Sequence, residues 1–145
     1  MTAENRNIMY GINCLACELD ALYHRAALRL GLADSDMLLL YLLYEKNGNC
    51  PLSDIRGETG ISKQTVNSAV RKLEREDIIY LEQSGGRAKT ACLTKKGKTF
   101  AENTVARLFA AENGIFDSWS DDEISTYLFL LKKYNRDFSK QIEKM

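Results

Sequence analysis

Apolar side chains recur at helical spacing from about Glu4 to Leu30 (Ile8, Ile12, Leu15, Leu19, Leu22, Leu28) with no proline, so the chain opens with one long helix ending near Gly31. Asp34 offers an N-cap oxygen for a second helix that runs to about Lys46, where Asn47-Gly48-Asn49 breaks it. The centre of that helix, Met37 to Tyr44, is apolar on every face and must be surrounded by protein. After Pro51 the pattern shortens. Ser53 starts a short helix, Gly57 to Gly60 forms a turn, and Ser62 caps a further helix that reaches about Asp77. In this last helix Val66, Ala69, Val70 and Leu73 share one stripe and dock inward, leaving Lys63, Gln64, Asn67, Ser68 and Arg71 outward.

Ile78 to Glu82 is rich in β-forming residues, Ser84-Gly85-Gly86 signals a turn, and Thr90 to Thr94 is a second extended run, so a β-hairpin follows. From Lys95 the chain is helical again to about Asn113, with Phe100, Val105, Leu108 and Phe109 on the apolar side. Trp119, with Phe116 nearby, anchors the turn before a last helix. Ser120 and Glu123 have capping-box spacing, and Ile124, Leu128, Leu131, Phe138 and Ile142 continue an apolar stripe to the C-terminus. The long terminal helices have little to cover them in a monomer of this layout, which makes them a dimer interface.

Charge refines this picture. The 145-residue chain has a net charge of zero, yet Cys50 to Gly97 holds nine basic and six acidic residues. That segment is therefore +3 and the remainder −3, which puts the electropositive part on the helix-turn-helix and hairpin. The longest unbroken apolar run, Met37 to Tyr44, falls far short of the roughly 20 residues of a bilayer span, so no membrane partner is expected. Met1 to Asn7 is no signal-peptide n-region, which places the chain in the cytoplasm. Cys14, Cys17, Cys50 and Cys92 then read as reduced thiols, with Cys50 and Cys92 as small core residues. No nucleophile with a base, phosphate-cradling glycine loop or cluster of metal ligands is evident, so neither catalysis, a cofactor nor a metal is expected.

The element order, the stretch Leu52-Ser53-Asp54-Ile55 through Ile61-Ser62-Lys63-Gln64-Thr65-Val66-Asn67-Ser68 to Leu73-Glu74-Arg75-Glu76-Asp77-Ile78-Ile79, and Arg87 followed at the family spacing by Leu93-Thr94 resemble the MarR family of bacterial regulators. Lys95-Lys96-Gly97 is similar to the start of that family's fifth helix, whereas Gly85 stands where the family wing commonly has aspartate. The resemblance implies a mainly α winged helix-turn-helix fold with a small β-hairpin wing. It implies a single domain over 1–145, with dimerisation helices in 1–33 and 95–145 and the DNA-binding region in 34–94. It also implies a homodimeric regulator, most simply a repressor, on a pseudo-palindromic double-stranded operator, with recognition helices in successive major grooves and wing arginines in the minor groove.

Residue chemistry fits those roles. Lys63, Gln64 and Asn67 can hydrogen-bond base edges, and Ser68 shares their outward face. Ser62, Thr65 and the amides at the helix N-terminus suit phosphate oxygens. Arg87 suits a narrow minor groove, while Arg71 and Lys89 suit the backbone. Tyr23, His24, Met37 and Tyr41 bring aromatic and polarizable groups to the region where the family often has an effector pocket, against the alternative of core or interface packing. Cys14 and Cys17 form a mid-helix CxxC, and the resemblance leaves a thiol-based redox-sensing regulator open. A protein-interaction module that has lost DNA affinity is a further alternative, which the neutral overall charge permits.

Overall fold

A computed structural model describes residues 3–83 and 85–145. Its elements run α1 (Ala3–Leu30), α2 (Asp34–Glu45), β1 (Asn49–Pro51), α3 (Leu52–Thr59), α4 (Lys63–Arg75), β2 (Ile79–Gln83), β3 (Lys89–Leu93), α5 (Lys95–Asn103), α6 (Val105–Ile115) and α7 (Asp121–Ile142), with a 3-10 turn at Phe116–Ser118. The chain divides into two compact units, Met1–Leu108 and Phe109–Met145, with the boundary inside α6.

In the first unit the core gathers on α2, whose Met37, Leu39, Leu40, Leu42 and Leu43 are all buried. Val66, Ala69, Val70 and Leu73 of α4 join them as the sequence stripe requires, together with Ile55 of α3 and Ile79, Ala91 and Leu93 of the sheet. Burying such side chains contributes about 1.5–3 kcal/mol each, so the α2–α4 contact is a principal source of stability. Among the described residues every buried side-chain nitrogen or oxygen has a hydrogen-bond partner.

The sheet has three strands rather than the two of the expected hairpin, in the order β1-β3-β2, all antiparallel. Cys50 pairs with Ala91 on the central strand, and Ala91 pairs in turn with Leu81. The segment 49–51, read from the sequence as part of a break, becomes a strand only because β3 comes alongside it. It is three residues long, too short to show any period, and Pro51 is tolerated because the strand lies at the sheet edge.

Four local expectations are corrected. Asp34 is the first residue of α2 and not its cap; Ala33 holds the N-cap position without a side-chain bond, and Asp34 acts as a first-turn acid. The short helix starts at Leu52 rather than Ser53 and runs through Gly57, ending at Gly60 in a left-handed conformation. The hairpin strands are Ile79–Gln83 and Lys89–Leu93, each displaced by one residue at its start from the sequence reading. The helix expected over Lys95 to Asn113 is two helices, broken at Thr104 with φ −123° and ψ −89°. There the buried Thr104 hydroxyl donates to the Phe100 carbonyl at 2.7 Å, competing with the helical backbone.

The junction between α4, the wing and α5 is tightly bonded. Asp77 adopts a left-handed φ of 60°, and its carbonyl accepts from the Thr94 hydroxyl at 2.6 Å. The same hydroxyl accepts from the Gly97 amide at 2.8 Å, capping α5, while the Thr94 amide donates to the Ile78 carbonyl at 3.0 Å. Gly97 is packed so closely that an added Cβ would collide with the Ile78 carbonyl oxygen.

In the second unit the capping box at Ser120 and Glu123 forms as the sequence indicates: the Ser120 amide donates to the Glu123 carboxylate at 2.8 Å and the Glu123 amide to the Ser120 hydroxyl at 3.2 Å. Trp119 stands edge-on to Phe116 at 5.4 Å and to Tyr127 at 5.5 Å, so it anchors the turn before α7. Among the described residues no helix is long and apolar enough to cross a membrane.

Gly97→Ala should destabilise the protein by about 1–3 kcal/mol, because the colliding atom is backbone and can move only with the junction. Urea unfolding followed by circular dichroism measures this; an unchanged midpoint would mean that the junction is looser than described.

Candidate nucleic-acid interface

The interface is built on α4. Ser62 accepts from the Thr65 amide at 3.2 Å, which starts the helix, and the buried stripe turns Lys63, Asn67 and Arg71 away from the core. The wing stands beside it. At its tip Gly85 and Gly86 both take left-handed φ values, 70° and 58°, and the Gln83 side-chain Nε2 donates to the Gly86 carbonyl. Two consecutive left-handed residues explain why glycine occupies the position where the family wing commonly has aspartate. No ion pair to Arg87 is seen among the described residues.

Between α4, the start of α3 and the wing lies a groove of about 700 Å³. Five cations line it, Arg56, Lys63, Arg71, Arg87 and Lys89, together with Asn67 and one carboxylate, Glu74. Local charge, not the neutral total, governs attraction of a phosphate backbone, and five to one makes this cleft electropositive. Lys63, Asn67, Arg71, Arg87 and Lys89 were all singled out from the sequence, and the fold brings them to one cleft. Arg56 was missed as a site residue. Only its contribution to the basic segment was visible, because α3 comes beside the wing through the tertiary fold.

The remaining candidates are distributed differently. Ser62 and Thr65 bond each other through their hydroxyls at 2.9 Å, so their first role is to cap α4. Gln64 is exposed near the helix N-terminus, and Ser68 lies on a neighbouring shallow surface with Arg71, Glu74 and Arg75. Lys46, the C-cap of α2, donates to Glu58 of α3 at 2.7 Å, a bond that raises the lysine pKa and pairs the Glu58 carboxylate.

The effector candidates separate. Met37 is buried in the core and Tyr41 packs against it, whereas Tyr23 is exposed on α1. His24 Nδ1 lies 2.9 Å from Asp34, tying the end of α1 to the start of α2. Cys14 and Cys17 are exposed on α1. Among the described residues no group of three or more His, Cys, Asp or Glu side chains is placed to hold a metal.

Cys50 and Cys92 are buried, and burial is the main force raising both thiol pKa values above the usual 9.0. Lys46 opposes this at Cys50, while Asp54 and Glu58 reinforce it. At Cys92 a hydrogen bond with Tyr80 opposes it and Glu82, with an oxygen 3.7 Å from the sulfur, reinforces it. Both are core groups, as read from the sequence.

Comparison with known proteins places this geometry in context. Residues 30–89 match the family model described as MarR family. Among curated proteins none matches the chain. The fold is similar to a MarR/EmrR family transcriptional regulator from Acinetobacter sp. ADP1 at 21% identity, TM-score 0.74, covering 96% of this chain and 99% of that one. It is similar to a MarR-family regulator from Rhodococcus sp. RHA1 at 17% identity, TM-score 0.70, covering 92% and 96%. A third similar structure is MepR of S. aureus, solved as a DNA complex, at 20% identity, TM-score 0.69, covering 89% and 96%. Identities this low speak to the fold, which is the MarR-type winged helix.

In the native protein at pH 9.0, where an ordinary thiol is half ionised, Cys50 and Cys92 should resist iodoacetamide until denaturant is added. Peptide mass spectrometry reads the labelling, and rapid native modification of either would contradict the burial described.

Proposed function

We propose that this MarR-family winged-helix protein is a sequence-specific, double-stranded DNA-binding transcriptional regulator acting as a homodimer, most simply a repressor of the operator it occupies. The observation that carries the reading is the groove between α4 and the wing, with five cations against one carboxylate in a chain whose net charge is zero. Such concentration on a helix-turn-helix is what phosphate neutralisation requires. In this reading the N-terminal half of α4 enters the major groove. Lys63 and Asn67 read base edges with Gln64, while Arg71, Lys89 and Arg56 neutralise phosphates and Arg87 reaches the minor groove.

The dimer reading rests on exposed apolar surface. Ile8, Tyr10, Leu15 and Leu28 of α1 are 55–73% exposed, and Leu128, Phe129, Leu130 and Phe138 of α7 are 50–62% exposed. Soluble proteins rarely leave so many large apolar side chains in water, and a second copy of the chain would cover them. Two copies present two recognition helices, matching a pseudo-palindromic site. A dimer in the cytoplasm with its operator and a small-molecule effector completes this view.

The test has two parts. Sedimentation equilibrium should give twice the chain mass of 16.4 kDa; a monomer at micromolar concentration would refute the dimer. Selection from a random duplex pool should enrich one sequence, bound with an affinity that falls steeply with salt. On that duplex Arg87→Ala should weaken binding and reduce the salt slope by about 1, while Asn67→Ala should relax sequence preference by about 1–3 kcal/mol. No binding at low salt would instead favour a protein-interaction module on the same scaffold.

A further inference from the structure

Among the described residues Asp36 is the only charged side chain that is buried, at 2% exposure. It projects from α2, the most deeply packed helix, and its Oδ2 accepts from Lys72 Nζ of α4 at 2.5 Å. A buried carboxylate is costly unless it is paired, and an apolar residue of similar size could fill the same space without that cost. What an ion pair adds is direction, since a charge-assisted hydrogen bond holds two atoms in one geometry.

The apolar part of the α2–α4 contact supplies no such direction. Val66, Ala69, Val70 and Leu73 hold α4 to the core through non-directional burial, which tolerates a small roll of the helix about its axis. Lys63, Asn67 and Arg71, which line the groove, would move with any such roll. On a helix about 10–12 Å across, a roll of about 20° carries a side-chain tip about 2 Å. That is enough to break a hydrogen bond to a base edge, whose useful range spans about 0.5 Å. Lys72 itself does not line the groove, and it follows Arg71 by one residue, about 100° further round the helix.

We propose that Asp36 is a positioning residue for base reading: through Lys72 it fixes the roll of α4, and with it the register of Lys63, Asn67 and Arg71 on DNA. The inference rests on the DNA-binding reading above, and it predicts an effect opposite in sign to simple electrostatics. Asp36→Asn removes a negative charge from the DNA-binding half of the molecule, so charge alone would tighten binding to every duplex. Positioning instead predicts roughly tenfold weaker binding to the duplex selected by the wild type, the scale of one lost base contact, with random-sequence duplex bound as well as before or better.

The experiment measures affinity for the selected and a random duplex at matched salt, at a temperature where circular dichroism shows each protein folded. The ratio of the two affinities should fall about tenfold in Asp36→Asn and in Lys72→Met, fall no further in the double variant, and be retained in Lys72→Arg, which keeps the charge-assisted bond. If Asp36→Asn or Lys72→Met does not fold, the joint replacement of Asp36→Leu with Lys72→Met, which leaves no charge unpaired, and Lys72→Arg at the partly exposed end of the pair decide. An unchanged ratio in Asp36→Asn or Lys72→Met, while the wild type discriminates, overturns the positioning role and leaves DNA binding standing. A wild type that binds no duplex overturns both.

Discussion

From Met37 to Leu43 helix α2 presents almost nothing that water would stabilise: only Leu38 is exposed there, and only to 38%. That constraint organises the first unit. Ala27 near the end of α1, Ile55 of α3, the stripe of α4, strand residues Ala91 and Leu93, and Ala101 of α5 all belong to the cluster that covers it. Each covering element is amphipathic, so burying its apolar side against α2 dictates which side is left outside. The outward face of α4 is thus a consequence of the core, and the helix-turn-helix is in effect two of the covers of α2.

The wing depends on a second, smaller constraint. The Thr94 hydroxyl bonds the Asp77 carbonyl on one side and receives the Gly97 amide on the other, so one side chain ties the exit of α4 to the start of α5. Lys96 adds a bond from its ammonium to the Glu76 carbonyl at 2.7 Å. Both ends of the hairpin are held there, and Arg87 and Lys89 stand beside α4. Five cations in one cleft is the electrostatic result, and it gives a chain of zero net charge one strongly basic surface.

The terminal helices follow a different logic. Along α1 every residue from Asn5 to Arg25 except Gly11 is exposed, and along α7 none is buried. Isolated helices of such composition are marginal in water, since most helical stability comes from packing an apolar face. Their length and exposed apolar content are what the proposed homodimer rests on.

The sequence by itself determined the elements whose information is local. The stripe Val66, Ala69, Val70 and Leu73 marks the buried side of α4, Ser62 and Ser120 mark helix starts through their side-chain oxygens, and Gly85-Gly86 marks the hairpin turn, Ser84 lying outside the described residues; each signal lies within a few residues of what it specifies. Lys63, Asn67, Arg71, Arg87 and Lys89 were legible as a site for the same reason, since α4 and the wing are adjacent in the chain. Only the tertiary structure decided what depends on partners distant in sequence. Strand β1 exists because β3 lies beside Asn49–Pro51, and Arg56 joins the groove because α3 packs near the wing. Thr104 breaks a helix that its neighbours would have continued, once it is buried and bonded to Phe100. Asp36, in sequence an ordinary first-turn acid, becomes the buried anchor of Lys72 across 36 residues of chain, because burial is a property of the assembled core and not of any segment of it.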